Sequence, residues 1–233
     1  MNPFVKSAKI TFVNAGVAEL ADAADLKSAG VILVGSSPTL GTIKNMYWLI
    51  VLLGYFLGSI PTAYVAGRLL KGRNIWQTGD GNVGAANAFR QLGAKAGIGV
   101  FFVDAGKGAL AILIAQAASL PLLAVLLTGA AAVIGHNWSV FIGFRGGRGE
   151  STTIGVLLTI IAQPMLVLAG PALVTLLIKR DVIKASCVLF IPLPLVCWWL
   201  GLPGVLVSYS IALPCLVGAT TFLRKRRIAI RQA

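Results

Sequence analysis

The run from Gly97 to Ala118, GIGVFFVDAGKGALAILIAQAA, is long and apolar enough to cross a membrane as one α-helix. Its charged residues, Asp104 and Lys107, lie three positions apart and therefore share one helix face. Ionisable side chains at membrane depth usually face a protein cavity rather than lipid. We therefore expect this pair to face the inside of a helix bundle, either as a mutually neutralising pair or as part of a binding site.

Similar apolar runs, bounded by glycine, proline or charge, occur along the chain at about 46–67, 122–136, 151–163, 165–178, 185–200 and 202–223. Hydrophobic residues make up 57% and charged residues 12% of the 233 residues, and the mean hydropathy is +0.87. Soluble domains carry about 25% charged residues. We therefore expect an all-α, polytopic integral membrane protein with about seven transmembrane helices, the fourth and fifth interrupted by Pro164 and Pro171.

Basic clusters alternate with uncharged turns along the membrane region. Apart from Lys107, the Lys and Arg residues after Met46 fall within 68–95, 145–148, 179–184 and 224–231. The turns at 119–121, 163–164 and 201–203 carry no charge. By the positive-inside rule, the basic clusters and the C-terminus lie in the cytoplasm and the first span begins outside. The net charge of +13 is then assigned to orientation and to anionic lipids or substrate, and not to nucleic acid.

The cysteine and histidine content excludes several kinds of site. The three cysteines lie in apolar segments without C-x-x-C spacing and are expected to be packing residues. His136 is the single histidine, which excludes a histidine-rich metal site, and the sequence contains no G-x-S-x-G elbow. The Walker A pattern also fails, because no Gly-Lys-Ser/Thr follows Gly143. We expect no metal, no cofactor and no nucleotide hydrolysis.

Residues 1–45 differ from the rest of the chain. They contain three of the seven acidic residues and no signal-peptide pattern. The segment 15–28, AGVAELADAADLKS, resembles the product of translating a transfer-RNA gene in silico. We expect residues 1–45 to be a non-native or disordered extension, with Met46 as the initiator and residues 46–233 as a single membrane domain. The alternative is a genuine flexible tail outside the membrane.

Two loops combine glycines with cations, one at 79–90 (GDGNVGAANAFR) and one at 135–149 (GHNWSVFIGFRGGRG). Glycine lets backbone N–H groups approach an anion closely, and arginine adds a fork of charged donors. The first loop is expected to enter a helix near Ala85, and a helix N-terminus favours phosphate. The alternatives are an asparagine-capped turn for the first loop and a solvated, orienting turn for the second. Ser59, beside Gly58 and Pro61, is expected at a kink or close-packing site.

Four motifs, in order and spacing, resemble the acylphosphate-dependent glycerol-3-phosphate acyltransferases, the PlsY family. They are 58–61 (GSIP), 79–90, 104–108 (DAGKG) and 135–149. The resemblance implies a multi-pass enzyme of the bacterial inner membrane, with seven helices among membrane lipids. It implies transfer of a fatty acyl group from acyl phosphate to glycerol 3-phosphate, giving lysophosphatidic acid and phosphate.

The resemblance also implies roles for individual residues. Asn82, Arg90 and Lys107 are the expected catalytic residues. The expected substrate-binding residues are Ser59, Gly79, Gly81, Gly84, Asn87, Asp104, His136, Gly143, Arg145, Gly146, Gly147, Arg148 and Gly149. The apolar bundle would receive the acyl tail. The glycerol hydroxyl would attack directly, with the substrate phosphate or a nearby polar group taking its proton.

Five features depart from the family pattern. Asp80 stands where the family has serine, Trp76 replaces an arginine, Ser139 replaces a proline and Glu150 replaces an apolar residue. The family's C-terminal His-x-x-Asn motif has no counterpart in residues 222–230. Either the basic tail replaces those donors, or the chain is a non-catalytic or altered-specificity paralogue that binds acyl phosphate or phospholipid at the inner membrane face. A transporter is disfavoured because no inverted repeat is visible.

Overall fold

The computed structural model describes residues 40–232, with side chains from Tyr47 to Arg224. Residues 1–39, most of the predicted N-terminal extension, lie outside this range. Within it the chain forms ten α-helices and no strand. The helices are α1 (Leu40–Ser59), α2 (Thr62–Lys71), α3 (Ala85–Leu92), α4 (Ala94–Ala117), α5 (Leu122–Asn137), α6 (Glu150–Ile160), α7 (Ala162–Lys179), α8 (Val182–Phe190), α9 (Leu193–Trp199) and α10 (Gly204–Gln232).

The predicted all-helical membrane fold is confirmed. Among the described residues, six segments are long and apolar enough to cross a membrane: Tyr47–Lys71, Ala94–Ala117, Leu122–Ile142, Ala162–Lys179, Val182–Trp199 and Gly204–Arg224. The predicted run 151–163 corresponds to α6, an apolar helix of 11 residues. A full span needs about 20 residues, so α6 is too short to cross a bilayer by itself.

The first span is broken at the predicted kink, because α1 ends at Ser59 and α2 begins after Pro61. Proline lacks a backbone N–H and disfavours helical backbone in the residue before it. Close packing also occurs here, since a side chain on Gly58 would collide with the backbone of Ala132 in α5. Gly135 of α5 meets the Tyr55 carbonyl oxygen in the same way. Small residues thus let the backbones of α1 and α5 approach each other directly.

The second close helix pair is α4 with α6. Gly108 faces the backbone of Thr152, and Gly155 faces the backbone of Ala105, so that neither position has room for a side chain. This crossing fixes the buried face of α4, which carries Asp104 and Lys107, against the start of α6. The apolar core beside it continues through α5 to α10.

The predicted proline interruptions differ in outcome. The chain breaks at Ile161, between α6 and α7, and Pro164 falls in the first turn of α7. Proline is tolerated in a first turn, because its missing N–H would have no intrahelical partner there. Pro171, in contrast, lies inside α7, which continues to Lys179.

A second, smaller apolar cluster lies beneath the glycine loops. It is formed by Ala63, Ile75, Val83, Ala88, Val100 and Ile142. These residues belong to α2, α3, α4 and the connections between helices. Their burial anchors both predicted loops to the same end of the helices.

Candidate functional site

Asn87 organises the first glycine loop from within. Its side chain is fully buried, and Nδ2 donates to the carbonyl oxygens of Ile75, Thr78 and Asn82 at 3.3, 3.0 and 3.0 Å. Gly79 turns with a φ of +63°, and its position beside the Asn87 side chain leaves no room for a Cβ. The loop then enters α3 at Ala85, as predicted. Asn87 therefore shapes the loop, and its contact with substrate stays a prediction.

Asp80, Arg90 and Arg148 form a cluster that joins the two loops. Asp80 Oδ2 lies 2.8 Å from a guanidinium nitrogen of Arg90 and 3.1 Å from one of Arg148. Asp80 Oδ1 accepts the backbone N–H of Asn82 at 3.2 Å. A single carboxylate thus receives donors from the loop itself, from α3 and from the second loop. The sequence predicts site roles for both arginines, whereas Asp80 stands out there only as a departure from the family pattern.

The second loop closes on the end of α5. The N–H of Gly146 donates to the Asn137 carbonyl oxygen at 3.2 Å, and the N–H of Gly147 donates to the His136 carbonyl oxygen at 2.9 Å. A side chain on Gly147 would collide with the His136 ring. These two glycines hold the turn closed and place Arg148 beside Asp80. Their use as N–H donors to substrate stays a prediction.

Gly143 and Gly149 mark the two ends of the tight part of this loop. Gly143 follows a short 3-10 turn with a φ of +63°, and Gly149 precedes α6 with a φ of +83°. Both backbone conformations favour glycine, because other residues meet steric strain there. Gly81 and Gly84 lie in the first loop and start of α3. Contact of these four glycines with substrate stays a prediction.

Arg145 points away from this cluster. Its guanidinium lies over the Trp76 ring, 5.7 Å from the ring centre, and its carbonyl oxygen accepts the Trp76 indole N–H at 3.1 Å. A guanidinium over an indole face is attracted by the ring quadrupole. Trp76, which replaces an arginine of the family pattern, therefore fixes the position of Arg145. Of the two arginines predicted for the loop, Arg148 is the one that shares the Asp80 carboxylate with Arg90.

A separate buried cluster contains Asp104, Lys107 and His136. Lys107 Nζ lies 2.8 Å from Asp104 Oδ1 and donates to the Ile60 carbonyl oxygen at 2.9 Å. His136 Nδ1 lies 3.7 Å from Asp104 Oδ1. The side chains of Lys107 and Asp104 are only 6% and 1% exposed. The predicted pair on one helix face is thus confirmed, and Lys107 additionally binds the carbonyl at the helix break.

Ser59 lies where the buried cluster approaches the second loop. Its carbonyl oxygen accepts the Ser139 hydroxyl. Ser139 therefore ties the second loop to the break between α1 and α2. The two serines and His136 line a small cavity of about 10 Å³, room for about one water molecule. Ser139, treated in the sequence as a lost proline, is a structural contact.

The C-terminal helix supplies two residues that sequence reasoning missed. The Thr220 hydroxyl donates to the Arg148 carbonyl oxygen at 3.2 Å. Arg224 donates to the carbonyl oxygens of Gly146 and Asn137, the latter at 2.7 Å. α10 thus binds the backbone of the second loop directly. The available signal is the basic run at 224–231, which predicts orientation in the membrane and, as an alternative, replacement of the missing C-terminal motif.

Glu150, another departure from the family pattern, begins α6. It accepts the Ser186 hydroxyl from α8. Burial raises the pKa of the Glu150 carboxyl above its ordinary value. The side chain therefore connects the end of the second loop to α8.

No group of three or more metal-ligating side chains occurs among the described residues. The fold and the site together define a polytopic helical membrane protein. At the end of its helices two arginines bind one anionic group, the Asp80 carboxylate. Two loops distant in sequence supply these arginines, and α10 supports one of the loops. Arginine pairs of this kind suit carboxylate or phosphate groups.

Comparison with known proteins identifies the family. The sequence profile described as glycerol-3-phosphate acyltransferase matches residues 48–231. Glycerol-3-phosphate acyltransferase 4 of Dehalococcoides mccartyi is 52% identical over 179 residues, which cover 77% of this chain and 97% of that protein. Glycerol-3-phosphate acyltransferase 1 of the same organism is 38% identical over 182 residues, covering 76% and 88%. The chain therefore belongs to the glycerol-3-phosphate acyltransferase family.

Solved structures agree with this assignment. The crystal structure of PlsY (YgiH), an integral membrane glycerol 3-phosphate acyltransferase, in its glycerol 3-phosphate form superposes with a TM-score of 0.71 at 33% identity. Its lysophosphatidic acid form superposes with a TM-score of 0.67 at 32% identity. Each match covers 79% of this chain and 92% of the other. The predicted resemblance to the PlsY family is confirmed.

Proposed function

We propose that this chain transfers a fatty acyl group from acyl phosphate to a hydroxyl of glycerol 3-phosphate, giving lysophosphatidic acid and inorganic phosphate. The observation that carries the proposal is the convergence of Arg90, Arg148 and the Asn82 N–H on one anion. Both substrates carry a phosphate group, which such donors recognise. Membership of the family, and relatives solved with glycerol 3-phosphate and lysophosphatidic acid, support this choice of substrate.

Acyl phosphate is already activated, so the protein chiefly has to orient the two substrates and stabilise negative charge. The glycerol oxygen attacks the acyl carbonyl carbon and forms the ester bond, while the bond between that carbon and the phosphate oxygen breaks. The hydroxyl proton passes to the departing phosphate, which leaves with the electron pair. Arg90 and Arg148 would hold phosphate oxygens and stabilise the charge on the leaving group. In this proposal, Arg90 and Arg148 are the catalytic residues.

An apolar groove beside the polar site suits the acyl tail. It has a volume of about 380 Å³ and is lined by side chains of α2 and α4, including Val65, Leu69 and Val103. Ile60 and Thr62 border both this groove and the small polar cavity near Ser59. An acyl chain in the groove would therefore place its carbonyl end close to this small cavity, which Gly146 and Gly147 of the second loop also line. Burial of each CH₂ contributes about 0.8 kcal/mol to binding.

The proposed location is the bacterial cytoplasmic membrane, with the site at the inner face. The basic loops that carry Arg90 and Arg148 are the ones that the positive-inside rule assigns to the cytoplasm. Water-soluble glycerol 3-phosphate would reach the site from that side. The acyl donor would arrive from the membrane.

An assay of the purified chain in detergent tests the proposed reaction. The chain is incubated with palmitoyl phosphate and glycerol 3-phosphate, and lysophosphatidic acid and phosphate are measured by mass spectrometry and colorimetry. We expect both products in equal amounts, and no product when palmitoyl-CoA replaces palmitoyl phosphate. Product from palmitoyl-CoA alone would contradict the proposed donor. The matched control is the Arg90→Ala, Arg148→Ala variant, which should be inactive.

One observation favours a second candidate function, a paralogue that binds these molecules without turnover. The Asp80 carboxylate neutralises part of the positive charge that the reaction would need at the leaving phosphate, which would slow turnover. Binding of glycerol 3-phosphate without any lysophosphatidic acid in the assay would support this alternative over the enzyme.

A further inference from the structure

Asp80 is held by three donors that come from three parts of the chain. Oδ1 accepts the N–H of Asn82 in its own loop, and Oδ2 is shared by Arg90 of α3 and Arg148 of the second loop. A carboxylate with both oxygens bonded in this way takes the place that a bound phosphate group would occupy. The same donors would otherwise be available to a phosphate group.

We propose that Asp80 is an internal anion that competes with substrate phosphate for Arg90 and Arg148, and that it sets the anion affinity of the site. This inference rests on the proposed function, because it requires a phosphate to bind at these arginines. Asp80 is then a specificity-determining residue. It admits a doubly charged phosphate, which offers more charge and more oxygens than a carboxylate, and it disfavours singly charged anions.

The exposure of the cluster makes such an exchange feasible. The side chains of Arg90 and Asp80 are 50% and 29% exposed, whereas that of Arg148 is 16% exposed. Ion pairs near solvent are weak, because water screens the charges and ordering the side chains costs entropy. The carboxylate can therefore leave the arginines when a stronger anion arrives. Its attachment to the same loop still gives it a high effective concentration, so that it lowers the apparent affinity for phosphate.

Asp80→Asn tests this directly, since asparagine keeps the size of the side chain and can still accept the Asn82 N–H. Binding of inorganic phosphate and of glycerol 3-phosphate to the full chain in detergent is measured by calorimetry. We expect both to bind about tenfold more tightly than to the unmodified chain. Asp80→Ser serves as a second variant, and thermal unfolding identifies any variant that fails to fold.

The matched control is Asp181→Asn, which removes the same charge elsewhere. Asp181 caps α8, where its carboxylate accepts the N–H groups of Ile183 and Lys184, and asparagine can also fill this role. We expect this variant to bind phosphate like the unmodified chain. An equal gain in Asp181→Asn and Asp80→Asn would overturn the proposal, because total charge alone would then explain the gain.

The remaining outcomes separate the inference from the proposed function. Unchanged or weaker phosphate binding in folded Asp80→Asn and Asp80→Ser variants would overturn the inference and leave the phosphate site in place. Absence of phosphate binding in the unmodified chain and in both Asp80 variants would overturn the phosphate site itself. Tighter binding in both variants, with the control unchanged, supports the inference.

Discussion

Arg148 connects the parts from which the candidate site is built. Its side chain pairs with Asp80 of the first loop, and its carbonyl oxygen accepts the Thr220 hydroxyl of α10. Its neighbour Gly147 packs against His136, which leaves Arg148 little freedom to move. A charged fork on a closed turn is preorganised for phosphate oxygens, and such preorganisation is a large source of catalytic stabilisation.

Arg148→Ala should therefore lower kcat/KM by at least about 100-fold, because a fixed positive charge at the leaving phosphate is lost. Arg148→Lys keeps the charge and loses the fork, so it should retain more activity than the alanine variant. The measurement is steady-state release of phosphate from acyl phosphate, with circular dichroism as the folding control. Equal activity in the unmodified and alanine variants would exclude Arg148 from the site.

Lys107 presents a different case, because it already has two partners inside the bundle. It bonds Asp104 and the Ile60 carbonyl oxygen, and both members of the ion pair are buried. Removing one member of a buried pair leaves the other charge without compensation. The structure therefore favours a large structural contribution from Lys107, whereas the sequence comparison favoured a catalytic one.

Lys107→Met should destabilise the folded chain by about 3 to 5 kcal/mol, because it leaves the Asp104 carboxylate unpaired. Asp104→Asn combined with Lys107→Met should recover most of this loss, since neither charge remains. Thermal unfolding in detergent measures both effects. A stable Lys107→Met variant without activity would instead indicate that Lys107 contacts substrate.

At the scale of elements, α10 is both a membrane helix and a support for the second loop. Most of α10 packs as a membrane helix, but Thr220 and Arg224 at its basic end bind carbonyl oxygens of the second loop. The described part of α10 thus holds the backbone of the second loop in place through these side-chain contacts. This contact lies in the part of the chain where the family's His-x-x-Asn motif is missing.

Arg224→Ala should lower kcat several-fold and leave the acceptor KM nearly unchanged, because the residue positions Arg148 without holding substrate. Arg224→Lys should recover part of the loss, since an ammonium group can reach one of the two carbonyls. The comparison of kcat with KM distinguishes positioning from binding. A large rise in KM with constant kcat would indicate direct contact with the substrate.

The membrane helices were predictable from sequence because their apolar runs end at glycine, proline or charge, although the run 151–163 forms only the short helix α6. The break at Pro61 and the start of α3 at Ala85 follow from local chemistry in the same way. Long-range contacts were not predictable. Nothing within the first loop indicates that Asp80 meets Arg148, 68 positions away, and nothing in α10 indicates that Arg224 meets Gly146.

Individual residue assignments show the same limit. Both arginines of the second loop stand among glycines, and they are told apart only by their distant partners, Trp76 for Arg145 and Asp80 for Arg148. The glycines were chosen for their free N–H groups, yet those of Gly146 and Gly147 are used by α5 carbonyls. Pattern and composition identify which residues are unusual, whereas three-dimensional packing determines which partner each one meets.

At the scale of the whole molecule, the sidedness of the chain remains a prediction. The second loop and Arg224 lie at one end of the helices, which agrees with their common assignment to the cytoplasm. A green fluorescent protein fused to the C-terminus should therefore fluoresce in bacteria, and an alkaline phosphatase fused there should be inactive. An active phosphatase fusion would reverse the predicted orientation.

The central claim is that Arg90 and Arg148 together hold the phosphate group that leaves from acyl phosphate. A crystal structure of the full chain with bound inorganic phosphate, the leaving group itself, tests it most directly. We predict phosphate oxygens within hydrogen-bond distance, about 3 Å, of both guanidinium groups, with the Asp80 carboxylate displaced from them. A phosphate bound to Lys107 instead, with the contacts between Asp80 and the two arginines intact, would contradict the account.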